Sequence, residues 1–554
     1  MIDRGVLLGL VALVAYSVLA SPFVIDGDNA EFATLGHTGG LAHPSGYPAY
    51  VLWLRLWSWL PGSPAHAAAL ATAMIGAATL VVLVNAARAW GATPAAATLA
   101  AAVVGGAPIV LRVHSEAEVF AMNDLACALV LWLAARNGPV RGEWRGALLG
   151  LVAGLGLCDH LTCALLAPIG ILGIVRAVRE ARVAAPLALA GLCVGLLPYA
   201  YAFVAPDTPM SWGTVHDLGG LVGLVTRRDY GGALAFAPVA ESVSAWAQLA
   251  AFAATMLRSW HVLLIGLVAN IRRSDEPDET RVAWAMLGLA WLLAGPILAT
   301  RFDLAANGIS LAVCRRFHVL PALLLALPIA RGLGRIPLRA PRMSRVLAAA
   351  LALPASIALS LPYLGRVHTA AVERYAENVL GALPKGAVLV VGEDYIYAGT
   401  QYVQWALDAR DDVIVIDQGL LGFAWYRDRI ARRGVEMPPG TPSAGWVVEH
   451  ALRGGRRVFV DLKQKDVLAG LPTYPYGAVL AVGTPPPLDD LVALDRELFG
   501  SFLFDYAPPS PDDEYASVIH RHYAAMWELL ARALEAAGRG ADAEALRQDS
   551  PIPK

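Results

Sequence analysis

Charged residues are scarce in this sequence. Only 16% of its 554 residues are Asp, Glu, Lys or Arg, against about 25% in ordinary globular proteins, and 57% are hydrophobic. The net charge of -2 and the pI near 6.6 leave no basic surface for a nucleic-acid partner. The five cysteines include no CxxC pair, which argues against a disulfide framework and a zinc site. All four lysines follow residue 363, which excludes a Walker A lysine from the part before it.

The few charges are unevenly distributed. The first 363 residues contain 24 basic and 19 acidic residues, whereas the last 191 contain 19 basic and 26 acidic ones. The first part therefore has the composition of a membrane protein and the second that of a soluble domain. We predict a transmembrane domain over 1–363, a soluble α/β domain over 364–510, and a C-terminal helical hairpin with its tail over 511–554.

Eleven apolar segments are long enough, or nearly so, to cross a bilayer, which takes about 20 residues. We predict spans at 5–24, 65–88, 93–111, 119–135, 146–158, 161–176, 183–205, 243–270, 282–299, 317–331 and 346–363. The segment 48–61 is short, contains Arg55 and four aromatic residues, and fits an interfacial helix better than a span. The first span lacks a good small-residue cleavage site, so we interpret it as an uncleaved anchor.

Arginines predict the orientation, because loops rich in them stay in the cytoplasm. They gather after every second span, for example at 136–145, 176–182, 272–273 and 331–345. The N-terminus is then cytoplasmic, and the soluble domain is extracytoplasmic. We expect an integral, multi-pass protein of the cytoplasmic (inner) membrane.

The densest polar group follows the first span. Asp26, Asp28, Glu31, His37 and His43 lie within twenty residues, and the segment becomes rich in Gly and Pro toward its end. Asp28 and Glu31 are three residues apart, so on a helix they share a face. The Gly and Pro residues favour a fixed, non-helical backbone. A solvated loop is the plain alternative, but the segment has no Lys or Arg and is bracketed by apolar sequence.

Other outer turns also keep ionisable residues, although a charge at bilayer depth costs about 2.5–3.5 kcal/mol. They include Arg112, His114, Glu116, Glu118, Asp159, His160, the segment 211–232, Arg301, Asp303, Arg315, Arg316 and His318. The span after Glu118 also carries the polar residues Asn123 and Asp124 one turn in. No HExxH or similar spacing supports a metal site. Acids, histidines and arginines converging on one side of a helical bundle indicate an enzyme site or a transport vestibule.

These segments carry motifs in a particular order. DNAEFATLGHTGGLAHPSGYPAY is followed by HSEAEVFAMN, GLCDHLT, SWGTVHDLGGLVGLVTRRDYGG and RRFHVLP. In this order they resemble the protein O-mannosyltransferase-like multi-pass family of GT-C glycosyltransferases, bacterial relatives of the human transmembrane enzyme that mannosylates plexin-type receptors. The sequence departs from the family pattern at Asn29, Ala30, Phe120, Asp159 and His318.

The resemblance implies transfer of a sugar, mannose in this family, from a polyprenyl-phosphate donor to Ser or Thr hydroxyls of exported proteins, with inversion and without a cofactor. Such a transfer needs a carboxylate to take the hydroxyl proton and cations to stabilise the departing phosphate. Asp28 is the implied base, and Glu31 positions the base or the acceptor. Asp26 remains a rival base, or else the cap of a short helix.

Arginine presents a fork that matches phosphate oxygens, so Arg315 and Arg316, together with His43, are the predicted phosphate ligands. Headgroup contact is the alternative for these arginines and for the pair at 227–228. The predicted substrate-binding residues are His43, Tyr47, Glu118, Asn123, His160, Trp212, Arg227, Arg228, Tyr230, Arg315 and Arg316.

Other functions remain open at this point. A GT-C transferase could modify a lipid or a cell-surface glycan instead of a protein. A lipid or solute transporter would also want many spans and a polar cavity, but transporters favour repeated halves, and we find no internal repeat. A non-enzymatic scaffold is disfavoured by the cost of so many ionisable groups at the membrane. Membrane lipids are expected partners in each case.

The last third alternates short β-rich runs with helical ones. Strands are predicted within 386–394, 412–417, 456–462 and 477–483, in a small α/β domain with a largely parallel sheet. Two helices then meet near 538–540. The predicted fold is therefore a polytopic α-helical membrane protein, GT-C-like with about 11 transmembrane helices, whose extracytoplasmic α/β domain ends in a helical hairpin.

Overall fold

All strands that the structure describes lie after residue 387, and the chain before them folds into helices. The computed structural model describes residues 3–232, 244–271, 277–302, 304–336, 342–464, 468, 470–510 and 514–553. Four residues of the sequence predictions lie outside the described residues: Arg272, Arg273, Asp303 and Arg339.

The helices are numbered α1 to α25 in chain order: Arg4–Leu19, Gly27–Thr38, Pro48–Leu56, Pro64–Ala89, Pro94–Gly105, Pro108–Val113, Phe120–Ala134, Gly142–Asp159, Ala167–Glu180, Ala184–Gly195, Leu218–Val225, Ala245–Trp260, Ile265–Ile271, Asp278–Leu292, Gly308–Arg316, Val319–Leu324, Ala326–Leu333, Arg342–Val367, Ala371–Ala382, Asp394–Trp405, Ala424–Arg432, Ala444–Arg453, Leu488–Ser501, Glu514–Ala536 and Gly540–Gln548. Turns of 3-10 or π type adjoin several of them, at Leu161–Leu166, Leu197–Phe203, Arg228–Tyr230, His261–Leu264, Leu293–Ile297, Gly419–Gly422 and Leu462–Gln464.

The chain forms two compact units, and sequence order does not separate them cleanly. The membrane unit contains Met1–Pro22, Leu41–Pro206 and Val215–Gly365, and the C-terminal unit contains Phe23–Gly40, Asp207–Thr214 and Arg366–Lys554. Two segments that sequence analysis assigned to the membrane domain, 23–40 and 207–214, therefore belong to the C-terminal unit. The residue boundaries of the three predicted domains stay predictions.

Several helices are long and apolar enough to cross a membrane. Five such helices lie within the described residues, at Pro64–Ala89, Leu161–Glu180, Ala184–Phe203, Ala245–Asn270 and Asp278–Ile297. The helices Gly308–Arg316 and Val319–Leu333, which are bent by 46° relative to each other, add a sixth if they form one span. Shorter apolar helices include α1, α5 and α7. The chain is thus a polytopic helical membrane protein. The number of eleven spans stays a prediction, because several of the predicted spans form short helices. Helix α1, for example, has 16 residues and is about 24 Å long, whereas the hydrocarbon core of a bilayer is about 30 Å thick.

Small residues bring two helices of the membrane unit into close contact. Gly146, Gly150 and Gly154 recur every fourth residue along α8 and face the backbone of α10, where a Cβ atom on any of them would collide with a carbonyl group. This small-residue spacing is typical of helix pairs packed in membranes.

Helix α3 lies in the segment 48–61, which sequence analysis interpreted as interfacial. It has nine residues and is about 14 Å long, which is too short to span a bilayer.

The C-terminal unit contains a five-stranded sheet in the order β2-β1-β3-β5-β4. Its strands are β1 Val388–Val391, β2 Ile414–Asp417, β3 Val458–Val460, β4 Thr473–Tyr476 and β5 Val479–Val482. The first three are parallel and the last two antiparallel, so the sheet is mixed. A tight turn at Gly477, whose φ is 58°, reverses the chain, and it forms a hairpin that the four predicted runs did not include.

The predicted helical hairpin is formed by α24 and α25. The indole N–H of Trp527 donates to the carbonyl of Leu546 at 2.8 Å, and the Arg547 guanidinium pairs with Glu528 at 2.9 Å. Tyr523 of α24 also meets Asn378 of α19, because the asparagine amide donates to the tyrosine hydroxyl at 2.7 Å. The hairpin therefore packs on the rest of the C-terminal unit.

Candidate active site

The acidic segment after the first span forms helix α2, and Asp26 is its N-cap. Asp26 is buried and extended, and its carboxylate accepts the backbone N–H of Asn29 at 2.8 Å. The Asn29 side chain in turn accepts the N–H of Ile25 at 3.1 Å. Such a cap satisfies the otherwise unpaired N–H groups of the first turn. The structure thus gives Asp26 the capping role that the sequence left as its alternative.

Asp28 lies in the first turn of α2, and Glu31 follows one turn later. Asp28 is half-buried, whereas Glu31 is buried with 6% of its surface exposed. A carboxylate in the first turn is stabilised by the positive end of the helix dipole. The helix therefore places the two predicted acids one turn apart.

Helix α2 packs against other elements of the C-terminal unit, to which it belongs. It packs along α20, and Gly27 lies against the backbone of Asp394 and Tyr395. Just before α2, the N–H of Val24 donates to the Glu373 carboxylate at 3.1 Å. Burial raises the pKa of Glu373 to about 7. The position of the acid-bearing helix thus depends on residues about 350 positions further along the chain.

Aromatic and histidine rings from four segments meet in the membrane unit. The ring centroids of His43 and Tyr47 are 4.9 Å apart, and those of Tyr47 and His160 are 5.8 Å apart. The ring of Phe120 lies 4.8 Å from that of His160 and 5.0 Å from that of Phe317. We call these five residues the ring cluster. It brings together three predicted substrate-binding residues: His43, Tyr47 and His160.

Backbone geometry prepares this cluster. Gly46 has a φ of 93° and its N–H donates to the His43 carbonyl at 2.7 Å. Tyr47 itself is left-handed, with a φ of 44°, directly before Pro48 begins α3. Such a conformation is uncommon for a residue with a side chain and turns the chain sharply. The Gly and Pro run therefore forms the fixed, non-helical backbone that the sequence predicted.

A buried ion pair adjoins the ring cluster in sequence. The Arg316 guanidinium donates to the Glu118 carboxylate at 2.8 Å, and the two side chains are only 8% and 1% exposed. Glu118 also accepts the N–H of Val119 at 3.1 Å. Arg316 immediately precedes Phe317, and Glu118 lies two residues before Phe120. Two predicted substrate-binding residues are therefore joined directly to each other, and the neighbouring Arg315 is half-buried.

Further polar groups are buried in the membrane unit. Arg112 pairs with Glu116 at 3.1 Å, and His114 lies 3.1 Å from Asp124. Within the described part of the chain, neither carboxylate oxygen of fully buried Asp159 has a hydrogen-bond partner.

Asn123, a predicted binding residue, is also fully buried. Its side-chain oxygen lies 3.8 Å from the Cys127 sulfur, and its amide nitrogen has no hydrogen-bond partner among the described residues. Helix α7 therefore has two polar side chains, Asn123 and Asp124, that are buried in the membrane unit.

The remaining predicted residues form separate groups. Trp212 lies in the C-terminal unit, where its ring centroid is 5.4 Å from that of Phe423. In the membrane unit, Arg227 covers the ring of Tyr230 at 5.2 Å, and Arg228 is exposed. These contacts assign none of the four predicted residues to the ring cluster.

Sequence reasoning missed several residues that shape these groups. Phe317 had a local signal, since it lies within the RRFHVLP motif. Glu373 is 349 positions from Val24, and Arg429, which donates to the carbonyls of Pro209 and Ser211, is more than 200 positions from either. No local pattern could have indicated these pairings.

The fold is that of a polytopic helical membrane protein. Its candidate site residues include the two acids of the capped helix α2, the ring cluster, and the buried Arg316–Glu118 pair, which adjoins the ring cluster in sequence. Residues 28–182 match the family model described as the protein O-mannosyl-transferase TMEM260 N-terminal domain. Over these residues the chain is similar to that domain, which confirms the resemblance that the motifs predicted.

Two relatives carry the same name. The chain is 26% identical to the protein O-mannosyl-transferase TMEM260 of Mus musculus over 439 residues, which cover 74% of this chain and 62% of the mouse protein. It is 20% identical to the tmem260 protein of Dictyostelium discoideum over 474 residues, covering 76% of this chain and 58% of that protein. The chain thus spans about 60% of the length of these relatives.

Among solved structures, ArnT from Cupriavidus metallidurans bound to undecaprenyl phosphate covers 87% of this chain at 14% identity, with a TM-score of 0.36. Its apo form aligns over the same share, with a TM-score of 0.32.

Proposed function

We propose that this chain is a GT-C-type glycosyltransferase that moves a sugar, mannose, from a polyprenyl-phosphate donor to Ser or Thr hydroxyls of exported proteins. The relatives named protein O-mannosyl-transferase support this reaction class and a protein acceptor. A membrane-spanning fold suits a donor carried on a lipid. The arginine distribution supports an active site on the extracytoplasmic side of the cytoplasmic membrane.

The observation that supports the mechanism is that two neighbouring acids, Asp26 and Asp28, differ in burial and in hydrogen bonding. Asp26 is buried and bound to the first turn of α2 as its cap, whereas Asp28 is half-buried inside that turn. A base must reach the hydroxyl proton of an incoming acceptor. Asp28 has the exposure for this role, and the helix dipole supports its negative charge.

In the proposed step, the acceptor oxygen attacks the sugar C1 from the face opposite the phosphate, while Asp28 takes the hydroxyl proton. The C1–O bond to the polyprenyl phosphate breaks, its electron pair leaves with the phosphate, and the configuration inverts. Arg315, Arg316 and His43 stabilise the departing phosphate, with Arg316 oriented by Glu118. Glu31 positions the acceptor or the base. No cofactor takes part in this scheme.

The test compares two substitutions in the same helix. Asp28→Asn should lower transfer of labelled mannose from polyprenyl-phosphate mannose by about 100- to 10,000-fold, the usual worth of a general base. Asp26→Asn is the matched control, because Asn caps helices as well as Asp and should leave transfer within a few-fold of the original. Near-normal transfer by Asp28→Asn, with the protein inserted and folded, would reject Asp28 as the base.

The acceptor is identified by comparing the exported proteins, lipids and surface glycans of cells with and without the protein. Loss of an O-linked hexose from exported proteins supports the proposal. A changed lipid or surface glycan, with the exported proteins unaltered, would assign the transfer to that acceptor instead. Accumulation of an untransported compound would point to transport.

A further inference from the structure

A cavity of about 240 Å³ lies within the C-terminal unit, away from α2 in sequence. Its walls come from helices α20 and α21, strand β2 and the segment that begins at Asp207. Its lining includes three aromatic side chains, Tyr397, Trp405 and Tyr426, and three guanidinium groups, Arg429, Arg432 and Arg433. The cavity is smaller than the 300–1,000 Å³ typical of sites for drug-sized ligands, so it suits a single small group.

Positive charge exceeds negative charge in this cavity. Asp207 is the one carboxylate among its lining residues, and it accepts from Arg429 at 2.6 Å and from Arg432 at 3.0 Å. Arg433 donates instead to the backbone carbonyls of Asp411 and Val413, at 2.5 and 3.0 Å. Among the described residues, no carboxylate lies within ion-pairing distance of Arg433. The cavity lining therefore contains three guanidinium groups and a single carboxylate, which pairs with two of them.

The third arginine, Arg433, lacks among the described residues the carboxylate partner that Arg429 and Arg432 have. Burial lowers the pKa of Arg433, and the like charge of Arg456 acts in the same direction. Its guanidinium lies 5.4 Å from the centre of the Trp405 ring, a cation–π contact that offsets only part of the cost of removing a charge from water. A bound anion would offset more of that cost, since charge-assisted hydrogen bonds are stronger than neutral ones.

The lining favours a carboxylate on an apolar stem. The contacts of Asp207 show how a carboxylate binds to these arginines, because each of its two oxygens accepts a hydrogen bond from a different arginine of α21. The rings of Tyr397 and Tyr426 provide buried apolar surface for a hydrocarbon stem, and the three arginines provide donors for a carboxylate. An acidic side chain of a polypeptide has both parts, a carboxylate and a short methylene stem.

We infer that this cavity binds a Glu or Asp side chain of the acceptor polypeptide, so that the C-terminal unit selects acceptors with an acidic residue near the modified hydroxyl. The inference rests on the proposed function, because it assumes a protein acceptor. It assigns the C-terminal unit a second role besides holding helix α2. Recognition is electrostatic and therefore weakens as salt rises.

The experiment measures peptide binding without the sugar donor. Full-length protein in detergent micelles is titrated against a fluorescein-labelled peptide that contains Glu and Ser, and against the same peptide with Gln in place of Glu, by fluorescence anisotropy. The Glu peptide should bind several-fold more tightly, and salt should reduce the difference. Equal affinities would overturn the inference. Displacement of the peptide by acetate or inorganic phosphate at equal concentration would show a free-anion site and would overturn it as well.

Two substitutions separate charge from structure, because each removes the Arg432–Asp207 pair but they change the net charge of the cavity in opposite directions; Asp207→Asn also removes the pair with Arg429. Arg432→Gln removes a cation and should weaken binding of the Glu peptide about two- to fivefold, since this side chain is 65% exposed. Asp207→Asn removes the competing anion and should tighten binding. A purely structural role would move both affinities in the same direction and would overturn the inference. Arg453→Gln, an exposed arginine outside the cavity, is the control and should change nothing.

Transfer activity in the same preparations distinguishes the two proposals. Transfer that proceeds equally on Glu and Gln peptides would overturn the acceptor selection alone. Selective peptide binding with no transfer to any Ser or Thr would instead count against the proposed glycosyltransferase.

Discussion

The buried pair between Glu118 and Arg316 should contribute strongly to the stability of the membrane unit. At 2.8 Å and an effective dielectric constant near 20, Coulomb's law gives an attraction of about 6 kcal/mol, which desolvation of two almost fully buried side chains partly offsets. Removing one partner leaves the other charge buried alone. Glu118→Gln and Arg316→Gln should therefore each lower the free energy of unfolding by about 3–5 kcal/mol.

The double variant tests whether the two charges act on each other. With both residues changed to Gln, no charge stays buried and the two amides can hydrogen-bond, so the loss should be smaller than the sum of the single losses by about 1–3 kcal/mol. The assay is denaturation of the full-length protein in mixed detergent micelles, with Arg453→Gln as the exposed control. That control side chain is 68% exposed and should change the unfolding free energy by no more than about 0.5 kcal/mol.

Two results would refute this reasoning. Single losses below about 1 kcal/mol would mean that the two side chains are solvated in the membrane-bound protein. Strictly additive losses would mean that Arg316 is held by groups other than Glu118.

Two further predictions concern other buried acids. Asp159→Asn should raise the free energy of unfolding by about 1–3 kcal/mol, because a neutral amide costs less to bury than a carboxylate for which the described residues offer no hydrogen-bond donor; destabilisation in the same denaturation assay would show that the carboxylate has a partner. Glu373, whose pKa is about 7 in the folded chain against 4.5 for a free side chain, binds its proton more tightly when folded, so stability should fall as pH rises from about 4.5 to 7. Glu373→Gln keeps an acceptor for the Val24 N–H but cannot titrate, and the melting temperature of the full-length protein should lose that part of its pH dependence; an unchanged profile would contradict the raised pKa.

Sequence patterns located many of the local elements. Each predicted β-rich run contains a strand, and the two terminal helices meet where glycines at 538–540 interrupt the helical pattern. These features depend on residues that are near one another in the chain, such as valines in a short run or a glycine with positive φ. The hairpin strand β4 was missed, because its TYPY segment contains a proline and lacks an apolar run.

The candidate site was only partly predictable. The order of motifs identified Asp28, Glu31, His43, Tyr47, His160 and Arg316 as residues of interest, but assigned no contacts among them. The ring cluster joins residues 43, 47, 120, 160 and 317, and the ion pair joins residues 198 positions apart. Trp212 lies in a segment that the sequence assigns to the membrane domain, whereas in the structure its ring contacts Phe423 in the C-terminal unit.

By itself the amino-acid order determined the membrane character of the first part, the α/β character of the last and the family resemblance, because hydropathy, periodicity and motifs are properties of neighbouring residues. Tertiary structure alone decided that Asp26 caps α2, that Glu118 holds Arg316 and that segments 23–40 and 207–214 join the C-terminal unit. Those outcomes depend on which buried charges and unpaired backbone groups meet after the chain has folded, and burial makes each unsatisfied group costly enough to select its partner.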